Sequence, residues 1–471
     1  MAKLNRPLLR LRGHELVPLE EDRRVELDIF DVLLPCRFFE VNYKVASLGQ
    51  VSPTLEFLLR LVKAAPGIDE EDAAIFFGYS PTDIEYVLEE AIAPGYLERR
   101  AGKLWLTISG ESLFQEDDEQ PSIYTVEARR RSFGFDLMSI APQIRSTLDE
   151  LERVLPELPS EDPAETGRVA ERVPARFKQF FRELADQADR GKTERRDIYS
   201  IDPLVTPGTR FQMPLRVVTF AQASNPSAAE IDLSAWRMDH EIADRPEIER
   251  AVALFVKDQQ TSTAQLDAAS AYQTLIDLAP EFLKEFATRN GLSVVRYWRE
   301  AVSRAGEPRS DRKTIPIVGS LLLPGNIERV QAVLAYGLRN VTEAPENIYA
   351  VAPQTQGWGA TTQQRDLLTL IQETTARTLP GEKSEMKSLC LYAWGRPAKY
   401  TEKTFDEIQE VRVGDFPKSL ELLLVPDVMV AAIVHAPLGA STGNPVPLGL
   451  ASFDPLVVDR AYGYFLQRYD R

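Results

Sequence analysis

The sequence predicts an α+β, multidomain protein, with a helix-rich unit ending in a hairpin near its start, a helical middle region and a C-terminal α/β sheet domain. Three observations lead there. At roughly 100–200 residues per domain, a 471-residue chain holds about three domains. Between residues 52 and 114 the apolar pattern switches from helical to strand spacing, and over the last ~160 residues strand-like and helix-like runs alternate. With 44% hydrophobic residues there is ample apolar material for packed cores.

Residues 1–51 form an N-terminal segment. In 52–114, Leu55, Leu58, Leu59 and Val62 recur at helical spacing up to the Pro66-Gly67 stop. A second helix is predicted over Asp69 to Phe77, with carboxylates in its first turn and Gly78 as its breaker. Ser80 and Pro81 suit the N-cap and first position of a third helix with the stripe Ile84, Val87, Leu88 and Ile92. Two short strands around Ala101-Gly102 follow.

Residues 115–200 read as a helical connector. It contains an acidic tract from Glu116 to Glu119, the triplet Arg129-Arg130-Arg131, a helix around Leu148 to Leu155 running into Pro156, and a second from Arg176 to Gln187. Residues 201–310 read as mixed and mainly helical. Strands from Arg210 to Leu233 precede helices at Pro246 to Val256, Leu266 to Arg289 and Ser293 to Ser303. Residues 311–471 form the α/β domain: a strand at Ile315 to Leu323, a helix capped by Asn326, strands at Ile348, Leu389, Leu420, Val428 and Val446, and helices at Thr361 to Leu379 and Val457 to Tyr469.

Charge and composition exclude several functions. Fifty-five basic against 71 acidic residues disfavour a surface that grips nucleic acid or anionic lipid all over. No apolar run reaches the ~18 residues of a membrane helix, and the first fifteen residues lack a signal-peptide core, so a cytoplasmic location with no membrane partner is expected. Cys36 and Cys390 read as small core hydrophobes. His14, His240 and His435 are far apart, which leaves no metal site, and no cofactor motif is present.

Gly439-Ala440-Ser441-Thr442-Gly443 fits the spacing of a nucleophile elbow, but Pro445 blocks the helix that should follow and no histidine comes after Ser441. Gly191-Lys192-Thr193 lacks the earlier glycine of a phosphate loop, and Ser384 to Lys387 lacks companion motifs. In Asp239-His240-Glu241 three consecutive side chains point in different directions if the segment is helical. No catalytic residue is assigned.

Three helices followed by the hairpin Gly95-Tyr96-Leu97-Glu98-Arg99-Arg100-Ala101-Gly102-Lys103-Leu104-Trp105-Leu106-Thr107 resemble a winged helix-turn-helix over about one seventh of the chain. The C-terminal order around Leu420 to Asp427 and Gly449 to Asp454 is similar to half of a phospholipase D-like domain. There the family's histidine and lysine positions fall on Leu420 and Leu422. That resemblance implies a catalytically dead scaffold.

Together the two resemblances imply a bacterial DNA-handling or anti-phage defence complex. The expected role is a non-enzymatic subunit or adaptor that docks other protein subunits through the winged helix. The alternatives are a nucleic-acid-processing enzyme with a dispersed site and a direct, non-specific DNA-binding protein. The would-be recognition helix carries Asp83, Glu85, Glu89 and Glu90 and no cation, which opposes a groove lined with phosphates, so these four are candidates for protein docking. Candidates for phosphate contact are Arg99, Arg100 and Lys103 on the wing and Arg129, Arg130 and Arg131.

Overall fold

The computed structural model describes residues 23–48, 52–114, 121, 124–160, 168–182, 184, 196–232, 245–303, 306–379, 386–393 and 395–469. Its first element is one the sequence reading did not anticipate. Strand β1, Arg24–Leu48, runs for 25 residues. Apolar side chains stand on both of its faces, so the pattern lacks the clean alternation of a half-buried strand.

β1 organises an antiparallel sheet. Along one edge it pairs with β7, Thr206–Gln222, and then with β6, Arg196–Ile201; along the other, its second half pairs with β5, Tyr124–Asp136. β8, Asn225–Asp232, extends the sheet beyond β7. The β1 edge that β5 leaves uncovered is met by loop backbone: Leu33 exchanges hydrogen bonds with Pro156 and Leu158, and the Asp31 amide donates to the Ala360 carbonyl at 2.7 Å. An open edge would template aggregation, and here loops close it.

The connector expected to be helical over 115–200 is therefore partly sheet. Strand β5 carries the Arg triplet, where three long side chains with good helix propensity meet a register set by Phe133 and Phe135, which pack into the core of β1. The helix expected over Leu148 to Leu155 is a single 3₁₀ turn, Glu152–Val154, before Pro156. The second expected helix is present as α4, Val169–Gln179, packing Val173 and Phe177 against Tyr43 and Phe133.

Between β1 and β5 lie residues 52–114, with α1 (Pro53–Ala64), β2 (Ile68–Asp69), α2 (Glu70–Phe77), α3 (Pro81–Ile92), β3 (Leu97–Arg100) and β4 (Lys103–Leu106). The strands form a sheet in the order β2-β4-β3. Ser52 caps α1, and Ser80 with Asp83 forms a reciprocal capping box on α3. Gly78 ends α2 in the left-handed conformation. Leu55, Leu58, Leu88, Leu97 and Leu104 build the core of this unit.

The C-terminal sheet has seven strands: β9 (Thr314–Val318), β10 (Asn347–Val351), β11 (Lys387–Tyr392), β12 (Glu407–Glu410), β13 (Leu420–Val425), β14 (Met429–Ala436) and β15 (Val446–Ser452). Their order is β9-β15-β14-β13-β10-β11-β12, with β10, β11 and β12 parallel to one another and the other pairings antiparallel. β13, β14 and β15 are buried at every position, because helices cover both faces.

One face meets α6 (Ala268–Leu278), α7 (Val294–Ser303) and α10 (Pro455–Tyr469); the other meets α8 (Pro324–Gly337) and α9 (Gln363–Thr378), while α5 (Pro246–Lys257) packs on the N-terminal sheet. This core reaches back across the boundary expected near residue 310, through Tyr272, Leu275, Tyr297 and Trp298. Tyr297 donates to the Gly449 carbonyl at 2.6 Å, and a side chain at Gly449 would collide with the Ala432 carbonyl of β14. Asn326 does not cap α8, whose N-cap is Leu323; its Nδ2 instead ties down the Val318 and Ser320 carbonyls.

The two sheets are joined at Asp31. Its buried carboxylate accepts from Arg216 Nε at 2.7 Å and Nη2 at 3.0 Å, from Thr361 Oγ1 at 2.8 Å and from the Thr362 amide at 2.8 Å. Burial raises the carboxyl, but the Arg216 guanidinium and the donors of Thr361 and Thr362 outweigh it and hold Asp31 below its ordinary value. A depressed carboxyl contributes stability that is present above the ordinary carboxylate range and is lost as pH falls through its folded value. Asp31→Ala is expected to cost about 1–3 kcal/mol at neutral pH in chemical denaturation, since it leaves the buried Thr361 hydroxyl, the half-buried Thr362 amide and the Arg216 guanidinium without their acceptor. That cost should shrink below about pH 4, where the carboxyl of the unfolded chain takes up a proton before the folded one does.

Candidate protein-docking surface

The outward faces of α2 and α3 follow from which residues their cores consume. Ala73 of α2 and Ile84, Val87, Leu88 and Ala91 of α3 point inward, which turns Glu71, Asp72, Ile75, Phe76, Tyr86 and Glu89 outward. Ile75 is 77% exposed, Phe76 68% and Tyr86 76%. Of the thirteen exposed large apolar side chains among the described residues, six lie in 52–114, the others being Phe57, Trp105 and Ile108. Scattered single exposures are ordinary, and these six make 52–114 the densest group of them among the described residues.

Three of the four acidic residues expected on the docking face already have work within the unit. Asp83 closes the capping box with Ser80, and Glu90 accepts from Ser52 Oγ at 3.1 Å. Glu85 takes both ends of the Arg99 guanidinium, at 3.1 and 2.5 Å, and that hydrogen-bonded cation holds its carboxyl below the usual range. Glu89 stays on the outward face. The docking candidates thus move from α3 alone to α2, where Glu71 and Asp72 flank Ile75 and Phe76.

The cations proposed for phosphate contact are engaged as well. Arg99 also reaches Glu70 at 3.2 Å, Arg100 pairs with Glu98, and Lys103 lies 3.8 Å from Asp69. Unit 52–114 has eleven acidic against five basic residues, so its β3–β4 hairpin carries local neutrality on an acidic body. In the Arg triplet, strand alternation sends Arg130 to the face opposite Arg129 and Arg131, so the three cannot act as one patch. Arg129 pairs with Glu127, Arg130 pairs with Glu40, and Arg131 is engaged too.

Other motifs fall where no chemistry gathers. Ser441 is exposed on a bend before a two-residue strand, and no helix follows it. Cys36 and Cys390 are buried and free, their thiols pushed up by that burial. His14, Asp239-His240-Glu241, Gly191-Lys192-Thr193, the acidic tract from Glu116 to Glu119, Ser384 and Glu385 lie outside the described residues. Among the described residues no cluster of histidine, cysteine and carboxylates could hold a metal, and no helix is long and apolar enough to cross a membrane.

His435, assigned no role from sequence, proves to be buried on β14 with Nε2 2.5 Å from Glu421 Oε2 on β13. Asp28 of β1 faces both. For Glu421 and His435 a signal in the sequence was present, each being a titratable residue inside an apolar strand run, whereas Asp28 stands between Glu26 and Asp31.

No family model matches the chain, and no curated protein does. Among solved structures, the chain is similar to NucT from Helicobacter pylori at 13% identity, with a TM-score of 0.21, over 34% of this chain and 96% of that one. An overlap this slight carries no argument about fold or activity.

If Ile75 and Phe76 serve a partner and not the fold, Ile75→Ser and Phe76→Ser should each change stability by less than about 1 kcal/mol in thermal unfolding. Leu88→Ala, which empties the core of the same unit, should cost about 2–5 kcal/mol.

Proposed function

We propose that this chain is a non-enzymatic subunit of a larger assembly, and that residues 52–114 are a winged-helix module that docks a partner protein. The observation that carries this reading is the outward face of α2 and α3, where Ile75, Phe76 and Tyr86 stand exposed among Glu71, Asp72 and Glu89. Its charge selects the partner chemistry: a surface with apolar anchors ringed by lysine or arginine. Direct DNA binding is the weaker reading, because each wing cation already faces a carboxylate.

The C-terminal sheet serves this reading as a phospholipase D-like scaffold without its catalytic pair. Supporting that, Leu420 and Leu422 are buried in β13, and Asp427 occupies the left-handed turn into β14 with φ +62°. A setting in a DNA-handling or defence assembly follows from the two resemblances alone.

Size-exclusion chromatography of the native complex tests the core of the proposal. The wild-type chain should elute with a stoichiometric partner, and Phe76→Ala combined with Glu71→Lys should weaken that association at least tenfold while the unit stays folded by circular dichroism. A chain that elutes alone, or a partner unmoved by these changes, overturns the reading. Replacing Arg99, Arg100 and Lys103 with alanine should leave duplex DNA affinity within about twofold in fluorescence anisotropy. If the wing does grip phosphate, affinity falls across all sequences and the salt slope flattens by about 0.9 per lost contact.

A further inference from the structure

Where the first turns of β1 cross the C-terminal sheet, three titratable side chains meet. Asp28 comes from β1, Glu421 from β13 and His435 from β14; Glu421 and His435 are buried and in direct contact at 2.5 Å. Asp28 is held from two further sides, its Oδ1 accepting from the Ile29 amide at 2.8 Å and its carboxyl meeting the Ser320 hydroxyl in the loop after β9. The neighbouring residues of β1 are fixed as well. Leu27 and Ile29 enter the cores on opposite faces of the C-terminal sheet, and the Leu27 carbonyl accepts from the Ser320 amide at 2.7 Å.

The cluster opens on a small cavity. Its polar lining includes Thr219, Gln259, Trp358 and Asn444, all uncharged, so the charged groups facing Asp28 are His435 and Glu421. The Cys390 thiol of β11 faces Glu421 from behind. Two of the lining groups are buried without a partner, the acceptor Gln259 Oε1 and the donor Trp358 Nε1. Gly357, with φ +77°, brings its backbone against that Gln259 oxygen, where a Cβ would stand at 2.8 Å.

We propose that the Asp28–His435–Glu421 cluster is a proton-operated latch between the two sheets, tight when Asp28 carries a proton and loosened when it is ionised. The His435 ring can answer one carboxylate directly, and Glu421 already holds it at 2.5 Å. A second carboxylate, half-buried beside them, has no cation of its own. A protonated Asp28 removes that surplus charge and offers an O–H in a cavity that holds an unpaired acceptor.

The electrostatics agree in sign. Burial pushes the Asp28 carboxyl up to about 6, with Glu421 adding to the rise and His435, the Ile29 amide and Ser320 opposing it. A raised carboxyl contributes stability that is fully present below its unfolded value and is lost as pH rises through its folded one. The latch therefore loosens between about pH 4 and pH 7.

Hydrogen–deuterium exchange of the full chain, corrected for intrinsic rates, reads the latch directly. Peptides covering 24–32 and 429–436 should lose protection about tenfold between pH 5 and pH 8, relative to peptides from α8. Asp28→Asn, which mimics the protonated acid, should keep high protection throughout. His435→Gln removes the cation that lowers Asp28 and should move the transition to higher pH. Wild-type protection that does not change with pH, an Asp28→Asn variant that retains the drop, or a midpoint indifferent to His435 overturns the proposal.

Discussion

Asp31 sits where β1, β7 and the start of α9 converge, and one carboxylate answers donors from all of them. Arg216 belongs to the N-terminal sheet, while Thr361 and Thr362 belong to the loop of the C-terminal domain between β10 and α9. The adjacent Asp31 amide is spent on Ala360. Without that anion, the loop from 352 to 362 would keep its polar groups buried and lose the reason to lie against β1. The same loop is also held by the Asp31 amide at Ala360, by Gln354 on Lys418 and by Trp358 stacked on Phe405, and Trp358 lines the cavity beside Asp28.

Two carboxylates three residues apart on β1 thus behave in opposite ways. Asp31 is surrounded by donors and a guanidinium that favour its charge; Asp28 shares its surroundings with another carboxylate and one imidazole. Partner supply, and not burial as such, decides which of the two acids is held ionised. The same logic governs the β3–β4 hairpin, whose arginines look available in the sequence and are matched by Glu85, Glu70 and Glu98 in three dimensions.

Local signals were legible in the sequence. Ser80, Pro81 and Gly78 punctuate α2 and α3 where expected, Ala101-Gly102 turns the hairpin with both residues at positive φ, and the strands at Leu420, Val428 and Val446 stand close to their predicted places. Long-range pairing was not legible. The fate of β5 is decided by its register with β1, which no periodicity within 124–136 encodes. Pairs such as Asp31 with Arg216 or Glu421 with His435 join residues whose spacing in sequence carries no motif. For the docking face, residue types were readable, but not that Asp83, Glu85 and Glu90 would be committed to caps and ion pairs.

The length of β1 has a consequence for the order of assembly. Its partner strands are encoded far downstream, Arg216 lying 185 residues beyond Asp31, and an entire helical unit is inserted between β1 and β5. During synthesis that unit can complete its own local contacts early. The strand that will become the spine of the sheet must wait, with both hydrogen-bonding edges open, until β5, β6 and β7 have emerged. A long apolar strand held in that state is a substrate for misassociation, so the step most exposed to chaperone dependence is the late capture of β1 by its downstream partners.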